Sequence, residues 1–280
     1  MVRRASFEDI ERILELVFKC FPRTPRSYFE HYIPDRDFPD LSLVAEEGGE
    51  IVGYVQIYDR TVRTTQGNLR VGGIGNVCVS RKHRGKGIGS KLLQTATDLM
   101  KEKGFNASLL FASKREFYEK NGWRVWESYW CSFEVPEAGE WSEGDFRDVM
   151  LLSEKFNEGW PMTVVRDEYV WEFQMKYGDR KLMVSPSKDA YAILSRSDGV
   201  YELIDAAFEN AEELFRILPA GVHRLHALPN HTLCEGISRF ASVRYQPYNE
   251  TFLKPLDISW TDLEILIPKN RWHFWIFDMF

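Results

Sequence analysis

The sequence predicts an α/β protein, an α+β arrangement of mixed sheets, made of two successive units. Three observations lead there. An apolar run, Ile74 to Val79, is followed by a basic, glycine-rich loop and then by an amphipathic helix. The order of strands and helices before Val135 recurs after Trp141. The chain also has 280 residues, 44% of them hydrophobic, enough for two ordinary cores.

Taken in order, Val2 to Ala5 reads as an extended start, and Ser6 with Asp9 as an N-cap signal. Ile10, Ile13, Leu14, Val17 and Phe18 recur at helical spacing until Pro22 and Pro25, and a short helix over Ser27 to Tyr32 follows. Glu30 and His31 read there as surface residues. Leu41 to Ala45 and Ile51 to Tyr58 form a hairpin around Gly48-Gly49, extended through Val62 to Thr64 and Leu69 to Val71. Strict alternation in the next strand puts Ile74, Asn76 and Cys78 on one face and Gly75, Val77 and Val79 on the other. Ile88, Leu92, Leu93, Ala96, Leu99 and Met100 make one helical stripe, stopped at Gly104. A strand over Ala107 to Phe111, a helix over Arg115 to Lys120 and an extended run from Trp123 complete the unit.

Composition narrows the partners. A net charge of −6 argues against nucleic acid, so the basic loop suits a small anion. Cys20, Cys78, Cys131 and Cys234 form no CxxC pair, and no apolar run is long enough for a bilayer. The expectation is a cytoplasmic protein without a membrane partner.

The glycine loop fits neither common nucleotide motif. Lys86 is followed by Gly87 where a P-loop needs Ser or Thr, and Gly73-Ile74-Gly75 lies inside a strand and lacks a third glycine. What the residues spell is R-x-x-G-x-G, Arg84 to Gly89, between a V-C-V strand and an amphipathic helix, with F-Y-E-K-N-G-W at Phe117 to Trp123. Over roughly residues 2 to 135 the chain thereby resembles the GNAT superfamily of acetyl-CoA-dependent N-acetyltransferases. The resemblance implies a GNAT fold with acetyl-CoA as co-substrate and an amine of a small molecule or protein as acceptor. Backbone N–H groups of Arg84, Gly85, Lys86, Gly87, Ile88, Gly89 and Ser90 would hold the pyrophosphate, with charge added by Arg84 and Lys86. Val77, Cys78 and Val79 would pair with the pantetheine arm and polarise the thioester carbonyl, and Ser113 and Lys114 would touch its far side. Tyr118 matches the family tyrosine that protonates the departing thiolate.

A general base is not found. Many family members carry a glutamate eleven residues before the motif, where this chain has Gly73. Asn76 cannot act as a base, and Cys78 reads as a buried strand cysteine rather than a nucleophile.

Pro136 to Trp141 reads as a linker, dividing residues 1–136, the catalytic unit, from 137–280. Helices are expected over Asp145 to Phe156, Arg166 to Tyr177, Ala211 to Leu218 and Thr232 to Phe240. Strands are expected over Leu182 to Ser185, Tyr191 to Arg196, Val200 to Ala207, His223 to Ala227 and Val243 to Leu253. The element order repeats that of the first unit, but before the Ala211 helix the chain reads F-E-N-A-E-E, which repels phosphate. The second unit therefore reads as a degenerate GNAT-like domain that has lost its cofactor loop, with an unrelated α+β domain as the alternative. The tandem resembles the enhanced intracellular survival protein family, whose sterol-carrier-like third domain this chain is too short to hold in full. There the terminal carboxylate is the base, which makes Phe280 a candidate here, after an expected aromatic hairpin of Leu263 to Ile267 and Trp272 to Phe277. That hairpin would also offer a surface for self-association. His223, His226 and His231 lack acidic or thiol partners at ligand spacing, so no metal is expected. A non-catalytic acyl-CoA-binding regulatory module is the competing reading.

Overall fold

The computed structural model describes residues 1–279 and holds two seven-stranded mixed sheets. The first half supplies β1 (Val2–Arg4), α1 (Ile10–Cys20), α2 (Arg26–Tyr32), β2 (Ser42–Glu47), β3 (Glu50–Thr64), β4 (Gly67–Val79), α3 (Ile88–Glu102), β5 (Ala107–Phe111), α4 (Arg115–Lys120) and β6 (Arg124–Val125). The second supplies β7 (Ser128–Val135), β8 (Ser142–Glu143), α5 (Phe146–Asn157), α6 (Glu168–Met175), β9 (Lys181–Val184), β10 (Ala190–Ser197) and β11 (Val200–Phe208). It continues with α7 (Ala211–Ile217), β12 (Gly221–His226), α8 (Thr232–Ile237), β13 (Arg244–Tyr248), β14 (Thr251–Pro255) and α9 (Trp260–Leu266).

Sheet one runs β1-β2-β3-β4-β5-β14-β6, with a parallel pair at β4–β5. Its faces are covered because the chain carries two amphipathic helices of the right period. The α3 stripe, with Leu92, Leu93, Ala96 and Met100 buried, packs over Val55, Ile57 and Ile74. On the opposite face Ile13, Leu16 and Val17 of α1 meet Val44 and Tyr54. Sheet two runs β13-β7-β12-β11-β10-β9-β8, with its parallel pair at β11–β12.

The halves are interleaved rather than divided at residue 136. Ser128–Val135, expected in the first unit, pairs with β12 and β13 of sheet two. The strand expected as one run over Val243 to Leu253 is two. Residues 244–248, exposed as far as Pro247, form the edge of sheet two, and buried Thr251–Leu253 sit between β5 and β6 of sheet one. Residues 249–250 carry the crossing.

The C-terminal hairpin is replaced by a helix. A capping box, Ser259 with Asp262, starts α9, and Leu263 and Ile267 then fall on one buried side. Residues 272–275 run on without a strand partner into a short 3₁₀ turn, Ile276–Asp278. Phe280 lies outside the described residues.

Candidate functional site

The site begins as a fault in a sheet. β4 pairs with β5 only at Val71–Ile74 against Ala107–Leu110. Beyond that, β5 stays with β14, which pairs along the whole of its other edge from Ala107–Pro255 to Phe111–Thr251. The pairing runs on to the Ala112 N–H, which donates to the Glu250 carbonyl at 2.8 Å. β4 bends away because it carries one extra residue: Tyr54 pairs with Cys78 but Gln56 with Gly75, leaving Asn76 and Val77 opposite Val55. Asn76 takes the bend in a left-handed conformation, φ 56°, which its side chain tolerates better than most. Its amide donates to Gln56 Oε1 at 3.1 Å and to the Tyr58 hydroxyl at 3.0 Å, fixing the kink. The bulge also overturns the expected alternation. Ile74 packs under α3 while Cys78 packs under α1, since one inserted residue exchanges the faces.

The wedge between the strands is a cleft of about 1030 Å³. Val77, Cys78 and Val79 line one side, and Ser113, Lys114 and Tyr118 the other. Arg84, Gly85, Gly87, Ile88, Gly89 and Ser90 close one end. Gly85 and Gly87 have φ of 78° and 79° with open space where a Cβ would stand, so the backbone there is bare to a ligand. Gly87 is the N-cap of the fifteen-residue α3, whose first N–H groups and dipole face an anion placed at that end. Of the expected residues, Lys86 is the one that turns away. Its ammonium lies 3.7 Å from Glu47, outside the cleft lining. Arg84 is partly spent on the protein, donating from Nε to the Val79 carbonyl at 3.1 Å.

Tyr118 is 8% exposed, on α4, with its ring against Phe117, Trp123 and Phe252. Burial alone pushes its phenol up to about 12, so it holds its proton at neutral pH.

Sequence reading missed four groups that the fold brings in. Cys20 and Phe21 come from the end of α1, Lys120 from α4 and Glu250 from the β13–β14 crossing. Hydrogen bonding with Cys78, against the opposing effect of burial, brings the Cys20 thiol down to about 7, while the Cys78 thiol is pushed up. Lys120 lies inside the F-Y-E-K-N-G-W run, but no local motif marks Cys20, Phe21 or Glu250; only the tertiary contact does. His31, read as a surface residue, donates from Nε2 to the Phe173 carbonyl at 2.9 Å and stacks on the Phe173 ring, joining α2 to the second half away from the cleft.

Sheet two has the same fault. β11 pairs with β12 only at Tyr201–Glu202 against His223–Arg224, and a one-residue bulge follows, Ile193 opposite Asp205 but Leu194 opposite Leu203. Here Trp275 and the short turn Ile276–Asp278 pack against the sheet at β11. Trp275 is in the core of this half and donates to Asn157 Oδ1 at 2.8 Å. Buried Arg166 bridges Asp278, at 2.7 Å, and Asp205. The α7 start is capped by Asn210 and followed by Glu212 and Glu213, with no glycine loop. His223, His226 and His231 are buried, and His231 stacks on His273 at 4.1 Å. Among the described residues no group of three His, Cys, Asp or Glu is arranged to hold a metal ion, and no helix is long and apolar enough to cross a membrane.

Residues 1–126 match the family model described as an acetyltransferase (GNAT) domain. The chain is 29% identical over 174 residues to L-2,4-diaminobutyric acid acetyltransferase of Wolinella succinogenes, covering 59% of this chain and 90% of that protein. A GCN5-related N-acetyltransferase from Kribbella flavida superposes with a TM-score of 0.75 at 17% identity, over 92% of this chain and 71% of its own. Eis1 from Mycobacterium abscessus does so at 0.65 and 16% identity, over 92% and 74%. Both likenesses extend over the two sheets. The N-terminal part of this chain is a GNAT acetyltransferase domain, and the protein is an acyltransferase with a tandem GNAT-like fold.

Proposed function

We propose that the cleft takes acetyl-CoA and that the protein transfers its acetyl group directly to a primary amine. The observation that carries this is the β4–β5 wedge. Past Ile74 and Leu110 the two strands leave their facing edges unpaired, and an extended chain bearing amides fits between them as a strand would. The cleft's other end suits a pyrophosphate, with Gly85 and Gly87 bare and α3 starting behind them.

Bound there, acetyl-CoA supplies an activated thioester carbonyl. The backbone of Val77 to Val79 orients it and polarises it through N–H groups. Tyr118, protonated in its apolar wall, donates to the departing sulfur. Phe117 and Phe111 help to exclude water. The catalytic unit is the first sheet, built by residues 1–126 and completed by β14, and the second sheet packs beside it. The acceptor is a small-molecule or protein amine, and the compound named for the Wolinella relative, L-2,4-diaminobutyrate, is the first to try.

Release of coenzyme A from acetyl-CoA, with L-2,4-diaminobutyrate, polyamines, aminoglycosides and lysine peptides as acceptors, tests the reading. Amine-dependent release is expected. Tyr118→Phe should lower kcat by about 10²-fold with acetyl-CoA affinity unchanged within about twofold. Unchanged turnover removes Tyr118 from the mechanism.

A further inference from the structure

Amine acetylation needs a group that accepts a proton, and the strand position next to the wedge is Gly73. An alkylamine with a pKa near ~10.4 is less than about a thousandth neutral at pH 7. The acceptor must therefore lose a proton on binding, and a positioned base contributes about 10²–10⁴-fold. Among the described residues lining the cleft, Glu250 is the single carboxylate and His83 the single imidazole. His83 stands at the glycine-loop end, with Nδ1 3.4 Å from Ser80 Oγ and Nε2 3.5 Å from Glu47, where phosphate is expected. Glu250 stands at the opposite strand. Its carbonyl accepts from the Ala112 N–H at 2.8 Å, which pins the residue to the end of β5, where the wedge opens. Two residues on, Phe252 packs against the Tyr118 ring at 5.9 Å, so the segment carrying Glu250 is the one that backs the expected acid. Glu250 is half-buried, and the Tyr248 phenol beside it is pushed up by burial and by the Glu250 charge.

We propose that Glu250, delivered by the crossing from sheet two to sheet one, binds the acceptor ammonium and serves as the general base. The inference rests on the acetyl-transfer reading above. The Glu250 carboxylate takes one proton from the ammonium, and the neutral nitrogen forms its bond to the acetyl carbon. The carbon–sulfur bond breaks, Tyr118 gives its proton to the sulfur, and the nitrogen's remaining excess proton passes to solvent as Glu250 and Tyr118 return to their starting states. The second half would thus supply a catalytic group to a cleft formed mainly by the first, through a two-residue linker between strands of different sheets.

The experiment compares wild type with Glu250→Gln, which keeps size and hydrogen-bonding reach, and with Glu250→Asp. Acceptors are L-2,4-diaminobutyrate and paired alkylamines, one ordinary and one fluorinated so that it is already largely neutral at pH 7. Binding of acetyl-CoA and of each amine is read by calorimetry. The expected result is a loss in kcat/KM of about 10²-fold or more for ordinary amines. The fluorinated amine should lose far less, Glu250→Asp should recover part of the rate, and acetyl-CoA binding should not change. Weaker binding of the cationic amines to Glu250→Gln is also expected. Equal losses for both kinds of amine, or no loss, would overturn the role of Glu250 while leaving acetyl transfer standing. If wild-type protein releases no coenzyme A with any amine, the transfer reading itself falls, and Glu250 as its base falls with it.

Discussion

The two sheets make the same opening and put it to opposite uses. In each, a central strand pairs in parallel for a few residues, gains one extra residue, and parts from its neighbour. In sheet one the opening is bordered by bare glycines and a helix start, and it stays a cleft. In sheet two the helix start carries Glu212 and Glu213, and Trp275 and Asp278 of the chain's own tail pack into this half. A splayed parallel pair leaves backbone edges that need partners. One sheet covers this region with side chains of its own tail, and the other leaves its edges for a ligand. Duplicated architecture therefore does not mean duplicated sites: loop chemistry and the path of the tail decide.

Three changes would break or sharpen this contrast. The largest effect is expected at Arg166. Arg166→Met leaves Asp205 and Asp278 buried without their cation, which costs about 3–5 kcal/mol. The urea midpoint should fall accordingly, while protein that remains folded binds acetyl-CoA as before. A shift under about 0.5 kcal/mol would show that the tail is not locked by this pair.

Next is pH. Burial brings His223 and His226 down to about 4, His231 to about 3, and His273 well below its ordinary value. The unfolded chain takes up protons near pH 6.5 where the folded one does not, so this stability is complete above 6.5 and is lost as pH falls. Burial raises Asp35 to about 7 and Asp205 to about 6, and these act in the opposite sense, stabilising as pH falls. Four histidines outweigh two acids, so stability should drop by about 1–3 kcal/mol between pH 6.5 and 5. Urea midpoints across that range check it, with a shallower slope in His231→Gln; a flat profile would contradict it.

The smallest effect is at the loop. Gly87→Val forces a branched residue into φ 79°, which should lower stability in urea by about 1–2 kcal/mol and weaken acetyl-CoA binding by the folded protein about tenfold. Unchanged affinity would mean that the loop does not hold the donor.

What the sequence discloses follows how local each signal is. The glycine loop and the α3 stripe are contiguous, and both lie where the pattern puts them. The bulge at Asn76 is invisible to alternation because one inserted residue leaves the composition of the strand unchanged. The break at residues 249–250 lies inside a run that reads as one strand, and only sheet pairing separates its halves. Leu263, Ile265 and Ile267 alternate like a strand, yet the Ser259–Asp262 cap starts a helix that buries Leu263 and Ile267 together. Glu250 has no motif at all, since its place on the cleft that Tyr118 lines exists only after the chain has crossed back from sheet two.

The contrast between an open and a covered wedge has one direct measurement, the stoichiometry of acetyl-CoA binding by isothermal titration calorimetry. It should show one site per chain, weakened by Gly87→Val and indifferent to Glu250→Gln. Two sites per chain, or one site that Gly87→Val leaves untouched, would contradict it.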